Sequence, residues 1–174
     1  MKFFLSAVAV AAALSISSQA YADVTDSAAD WRFSIPSGTQ TLVMPRADWV
    51  LNQEQRRPDG KVAYYMMSSE QAHAVFSVYI DKTAQCRSAD DCLKEALKNP
   101  AYKNAKETQM LEDRQFKVAS FYLDKPQGFA VSQAHVLVSA YADGLWFDIH
   151  LSRTGRERPD IGPLLELVKS LQLK

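Results

Sequence analysis

The side chains with the most chemistry to offer in this chain are two cysteines, Cys86 and Cys92, and three histidines, His73, His135 and His150. The cysteines stand in a C-x5-C spacing. In an oxidising compartment such a pair is expected to close a structural disulfide. The loop is short, so the bond is worth only about 2 kcal/mol through lost chain entropy. A redox role would call for C-x-x-C and a stabilised thiolate, whereas Asp90 and Asp91 put negative charge beside Cys92. Zinc is disfavoured as well, since no histidine follows at ligand spacing.

His135 and His150 fall in two patterned stretches, 129–142 and 145–153, that flank Asp143-Gly144. Asp-Gly between alternating runs signals a two-residue hairpin turn, and the turn sets the register. Tyr141 then faces Trp146, Ser139 faces Asp148, Leu137 faces His150 and His135 faces Ser152. The opposite side collects Ala134, Val136, Val138 and Ala140 with Phe147, Ile149 and Leu151, and is the expected core side.

The mixed side suggests two chemistries. His135, His150 and Asp148 have the donor types of a metal site. Ser152 or Ser139 with a histidine and Asp148 have the types of a hydrolytic set. Residues of one side on one strand lie about 6–7 Å apart, too far for a nucleophile to touch its base. No Gly-rich oxyanion loop accompanies them. The expectation is therefore no catalytic residue, no metal ligand and no cofactor. Tyr141, Trp146, Asp148, His150 and His135 are read instead as a candidate binding surface for a peptide, a sugar or a protein partner. The plainer alternative is a solvated sheet face on which Tyr141 and Trp146 pack as a cross-strand pair. His73 falls on the non-core side of its own stretch, with Ser77 and Tyr79.

The elements that position these residues are mostly strands. Residues 31–35 alternate Trp31, Phe33 and Ile35 against Arg32 and Ser34, and Pro36 ends them. Residues 41–44 return as a strand, and Trp49 is a core anchor. Pro58-Asp59-Gly60 turns 50–56 into 62–67 as a hairpin. A strand over 72–81 puts Ala74, Phe76, Val78 and Ile80 on one face. The spacing predicts a helix from Ala89 to about Lys98, capped by Ser88 with Asp91 three residues on and ended by Asn99-Pro100. Two further strands are expected over 108–114 and 116–124. Ile161, Leu164, Leu165, Val168 and Leu171 then recur at helical spacing, with Asp160 as the cap.

At the start, Lys2, an apolar run over 3–14 and Ala20-Tyr21-Ala22 make the three parts of an export signal. The apolar run is too short to span a bilayer. Cleavage is expected before Asp23, with residues 23–30 a flexible leader and 31–174 one domain. The whole chain balances 20 Lys and Arg against 20 Asp and Glu, so without Lys2 its charge is −1. A neutral protein lacks the basic excess of a nucleic-acid binder. Two basic loops, Arg56-Arg57 and Arg153, Arg156 and Arg158, read as solvated tips. The expected localisation is the periplasm, with no membrane span.

Trp31-Arg32-Phe33-Ser34-Ile35-Pro36, then Leu42-Val43-Met44-Pro45 with Trp49 four residues on, resembles the opening of PsbP-like domains. The later order resembles them too: strands, a helix, a strand meander, and a terminal amphipathic helix after a strand carrying Trp146. The Cys86/Cys92 pair departs from that family's pattern. The resemblance implies an α+β fold, an antiparallel sheet flanked by helices, and a non-enzymatic accessory or binding role. The alternatives are an immunity-type inhibitor of a periplasmic toxin and a metal-dependent hydrolase working on the last hairpin.

Overall fold

Alternating side chains build most of this molecule. A computed structural model describes residues 25–26 and 29–174. The export signal expected over 1–22 lies outside the described residues. Three short strands open the described part: β1 (Thr25–Asp26), β2 (Asp30–Phe33) and β3 (Leu42–Pro45). An antiparallel meander follows, made of β4 (Val50–Arg56), β5 (Val62–Ser69) and β6 (Ala74–Asp81). Helix α1 (Ala89–Ala96) and a 3-10 turn over Pro100–Tyr102 lead to a second meander. Its strands are β7 (Lys106–Asp113), β8 (Phe116–Asp124), β9 (Ser132–Ala142) and β10 (Leu145–Gly155). Helix α2 (Gly162–Ser170) and β11 (Gln172–Leu173) come last.

The two meanders join edge to edge through β6 and β10, which gives one seven-stranded sheet in the order β4-β5-β6-β10-β9-β8-β7. A four-stranded sheet, β1-β2-β3-β11, lies against it. Every pairing among the described residues is antiparallel. The class is α+β, as the strand-rich pattern implies.

Two ends differ from expectation. Thr25 and Asp26 are not wholly loose, because they pair with Arg32 and Trp31. After α2 the chain returns to extended form, and Gln172 and Leu173 pair with Val43 and Leu42. Ladder hydrogen bonds between Thr41 and Lys174 continue that pairing. A two-residue strand is too short to show a period, so neither was visible in the pattern.

The inner face of the large sheet carries Tyr65, Phe76, Val78, Val136, Val138, Phe147 and Ile149, all fully buried. The small sheet covers them with Phe33, Leu42 and Met44, Trp49 packs beside them, and α2 adds Leu164 and Val168. The Phe33 ring lies 5.4 Å from Tyr65 and 5.6 Å from Phe76. The Tyr65 hydroxyl donates to the Ser34 carbonyl at 3.1 Å, so its polar tip is paired inside the core. The sheet's edge strands, β4 and β7, each carry a register shift, between Leu51 and Gln53 and between Lys106 and Gln109. Such bulges blunt an edge against further pairing.

Helix α1 packs on the other, outer face. Ser88 Oγ accepts from the Asp91 amide and Asp91 Oδ2 accepts from the Arg87 amide, both at 3.1 Å, close to a capping box. Asn99 Oδ1 accepts from the Ala101 amide at 3.0 Å and starts the 3-10 turn. Leu93 is buried with Ala119, Phe121, Leu123 and Leu137, a cluster separate from the main core. Cys86 and Cys92 lie at disulfide-bonding distance with Cα atoms 5.1 Å apart, which ties the start of α1 to the segment after β6. A disulfide indicates an oxidising, extracytoplasmic compartment. No helix among the described residues is long and apolar enough to cross a membrane.

Candidate functional site

The turn at Asp143-Gly144 has positive φ at both residues, 52° and 75°, the backbone that an Asp-Gly hairpin turn demands. The register from that turn is the expected one: Tyr141 opposite Trp146, Ser139 opposite Asp148, Leu137 opposite His150 and His135 opposite Ser152. These side chains share the outer face. Adjacent strands extend it into rows. Tyr64, Tyr79, Asp148 and Ser139 form one row, and Met66, Ser77, His150 and Leu137 form the next.

Helix α1 lies over β8, β9 and β10 and stops short of β5 and β6. Its exposed flank and the sheet therefore make a step, and the step is a cleft of about 660 Å³. Ser77, Tyr79, Leu137, Asp148 and His150 line its sheet side. Glu95, Ala96, Lys98, Asn99 and Tyr102 line its helix side, and Tyr64 also borders it. That size suits a small organic ligand.

Two of the cleft's polar groups sit under unusual constraint. Asp148 Oδ1 is sealed from solvent and has no hydrogen-bond partner. Burial pushes the Asp148 carboxyl up to about 6. His150 Nε2 lies 2.8 Å from His135 Nδ1, with the rings stacked at 5.1 Å. His135 Nε2 lies 3.2 Å from Gln133 Oε1, and the Gln133 amide nitrogen donates to Thr154. That orientation makes His135 Nε2 the donor to Gln133 and leaves Nδ1 to accept from His150 Nε2. His150 Nδ1 then carries a lone pair. Burial drives His150 down to about 4. Burial, then the charge of His150, drives His135 down to about 3. Both rings are neutral at pH 7.

Tyr102 closes over the pair, its ring 6.0 Å from His135 and 6.1 Å from His150. Burial, then the Asp148 charge, raises its phenol. Tyr79 donates to Asp81 Oδ2 at 3.1 Å and meets the Trp146 ring edge-on at 6.0 Å. Trp146 Nε1 donates to Ser139 Oγ at 3.1 Å. Trp146 itself faces a smaller depression of about 370 Å³ beside Cys86 and Asp91.

The structure thus brings Asp148, His150 and His135 together and places Trp146 at their margin. Tyr141 stands opposite Trp146, but the ring that Trp146 meets is Tyr79. The two histidines spend facing nitrogens on each other rather than aiming them at a common point. Among the described residues no three His, Cys, Asp or Glu side chains are arranged to hold a metal ion. The hydrogen-bond partner of His150 is His135, and Ser139 Oγ is taken by Trp146, so neither forms a serine–histidine contact. His73 lies in the turn before β6 with φ 46° and is exposed, apart from this cleft. The basic loops are largely neutralised. Arg57 pairs with Asp59, Arg56 with Glu54, and Arg158 with both Glu107 and Asp124.

Tyr64 and Tyr102 were not singled out by the sequence reading. Tyr64 shares its side with Met66 on a strand that alternates cleanly, so strand parity alone could have placed it on the outer face. Tyr102 had no such signal, because it depends on where α1 docks. No family model and no curated protein sequence matches the chain.

Proposed function

We propose that this is an exported periplasmic protein of the PsbP-like type, non-enzymatic, that binds a ligand in the cleft between α1 and the outer sheet face. The observation that carries the reading is Asp148, a carboxyl at the cleft whose Oδ1 is buried without a partner. A buried carboxyl with an unpaired oxygen destabilises the empty protein, and a fold keeps one most readily where a bound molecule offsets its charge. The disulfide and the export signal support the compartment. The order of strands and helices supports the family. The self-paired histidines, with no serine hydrogen-bonded to His135 or His150 among the described residues, support a binding role over hydrolysis.

Native mass spectrometry tests this directly. The mature chain is incubated with a small-molecule extract of the periplasm and sprayed intact. A retained adduct is expected, and Ala96→Trp on the helix flank should abolish it while the melting temperature stays put. An adduct held equally by wild type and Ala96→Trp would move the binding site elsewhere.

A further inference from the structure

The charged group that the cleft leaves unpaired is a carboxyl, Asp148, set among neutral donors and acceptors from Ser77, Asn99 and the tyrosines. Asp148 is an acceptor when ionised, and at pH 7 its carboxyl is mostly ionised. His150 lines the cleft with a neutral ring, its Nε2 proton directed at His135. On the helix side Glu95 and the one cation at the cleft, Lys98, lie 2.6 Å apart and offset each other's charge. Three phenol rings, Tyr64, Tyr79 and Tyr102, border the same space. The Tyr79 hydroxyl is committed to Asp81, which leaves its ring as the feature it offers.

We propose that the cleft takes an organic cation bearing N–H donors, a primary ammonium or a guanidinium, with Asp148 as its counter-charge and the tyrosine rings as its walls. This rests on the cleft being the binding site. An anion would face the unpaired Asp148 carboxylate, while the one lysine at the cleft is already paired with Glu95. A neutral apolar molecule would leave Asp148 Oδ1 as unmet as before. An N–H cation offsets the charge of the Asp148 carboxylate, can donate to it, and gains from aromatic faces. A quaternary ammonium has no N–H and loses the hydrogen bond.

The mature chain is titrated calorimetrically at pH 7.5 with 1,5-diaminopentane and with methylguanidinium. Length-matched 1,5-pentanediol and glutarate serve as neutral and anionic controls. The cations are expected to bind. Asp148→Asn should weaken them by about 10- to 100-fold, the range for a lost hydrogen bond to a charged group. Asp148→Asn removes a buried charge and is expected to fold, so the loss reads on binding. At pH 6 cation binding should expel a proton from Asp148, making the measured heat depend on the ionisation enthalpy of the buffer. The other titratable groups nearby are Tyr64, Tyr79, Asp81, Tyr102, His135, His150, Glu95 and Lys98. Glu95→Gln should leave the buffer dependence in place, whereas Asp148→Asn should remove it.

Equal binding of the diol or glutarate, or cation binding that Asp148→Asn leaves unchanged, would overturn the cation assignment. If the diol binds and Ala96→Trp blocks it, the cleft remains the binding site and only its ligand class is wrong. If neither the probes nor the periplasmic extract binds, both readings fall together.

Discussion

The same strands present two very different faces. Along β10, Phe147, Ile149 and Leu151 point inward and are fully buried, while Trp146, Asp148 and His150 point outward and are only half-buried. Over its central strands the inner face is capped by a second sheet, Trp49 and α2. The outer face is capped by α1 on one half only. Cover over the central strands allows a core built almost wholly of apolar side chains. Partial cover leaves a margin where groups are dry enough to be perturbed and close enough to solvent to be reached. The carboxyl and imidazoles with shifted titration lie at that margin. Burial-perturbed groups gathered in a concave site are a physical mark of function.

The sharpest way to break this contrast is to delete one ring from each face. Phe147→Ala should cost about 3–5 kcal/mol in denaturant unfolding, the usual range for an emptied aromatic site in a core. Tyr64→Ala, on the half-covered side, should cost less than about 1 kcal/mol. Equal losses would mean that the outer face is a second core.

Asp148→Asn should do the opposite of Phe147→Ala and stabilise. Its folded pKa of about 6 lies above the ordinary value of 3.8, so the fold favours the protonated form. That preference is fully present below pH 3.8 and is lost as pH rises through 6. At pH 7.5 the substitution is expected to gain about 3 kcal/mol, from about two pKa units at 1.36 kcal/mol each. The acid limb supplies a second check. His135 and His150, at about 3 and 4, have folded values below the ordinary 6.5. Their contribution is present above pH 6.5 and is lost as pH falls through 4. Near pH 5 His135 and His150 hold two protons in the unfolded chain, and Asp148 holds one in the folded chain, so the net from these three groups is about one, or roughly 1.4 kcal/mol per pH unit. Asp148→Asn should raise that to roughly two protons. Asp124, held down to about 2 mainly by its hydrogen bond with Lys106, acts alike in both proteins. An unchanged slope would mean that Asp148 is not a buried carboxyl.

Smaller effects test what holds the partial cover in place. Cys86→Ser with Cys92→Ser should cost about 2 kcal/mol. Hydrogen exchange should quicken in α1 and stay slow in β9 and β10. Uniform quickening would mean that α1 is no separable lid. Ser88→Ala removes the helix cap and should cost about 1 kcal/mol, with the melting curve as the readout.

Much of the inner face was legible in the sequence. Asp143-Gly144 sets the hairpin register, and alternation from Ala134 to Leu151 then assigns each side chain to a face. Ser88, Asp91 and Asn99-Pro100 bracket the helix for local reasons, close to its observed span. What escaped was everything that depends on distant segments meeting. Strand parity shows that Asp148 and His150 face away from the core, but it cannot say that α1 lies over half of that face. The pairing of Trp146 with Tyr79 belongs to the contact of β10 with β6, which no local pattern encodes. Tyr102 joined the site only through the 3-10 turn that follows α1.

The junction of β6 with β10 has a consequence for how the chain folds. Each meander is a run of neighbouring hairpins and can form from contacts close in sequence. The junction cannot, since α1 and three whole strands separate its partners. Contacts of such long range set folding rates in sheet proteins, because loop closure must precede any gain from pairing. Tyr79 comes from one meander, Asp148 from the other, and α1 from the link between them. The cleft is therefore assembled at the seam, and it exists only once the slow step is complete. In stopped-flow refolding, the quenching of Trp146 by its neighbours should follow the rate-limiting phase. A molecule bound there would bridge the two halves of the sheet and slow their parting.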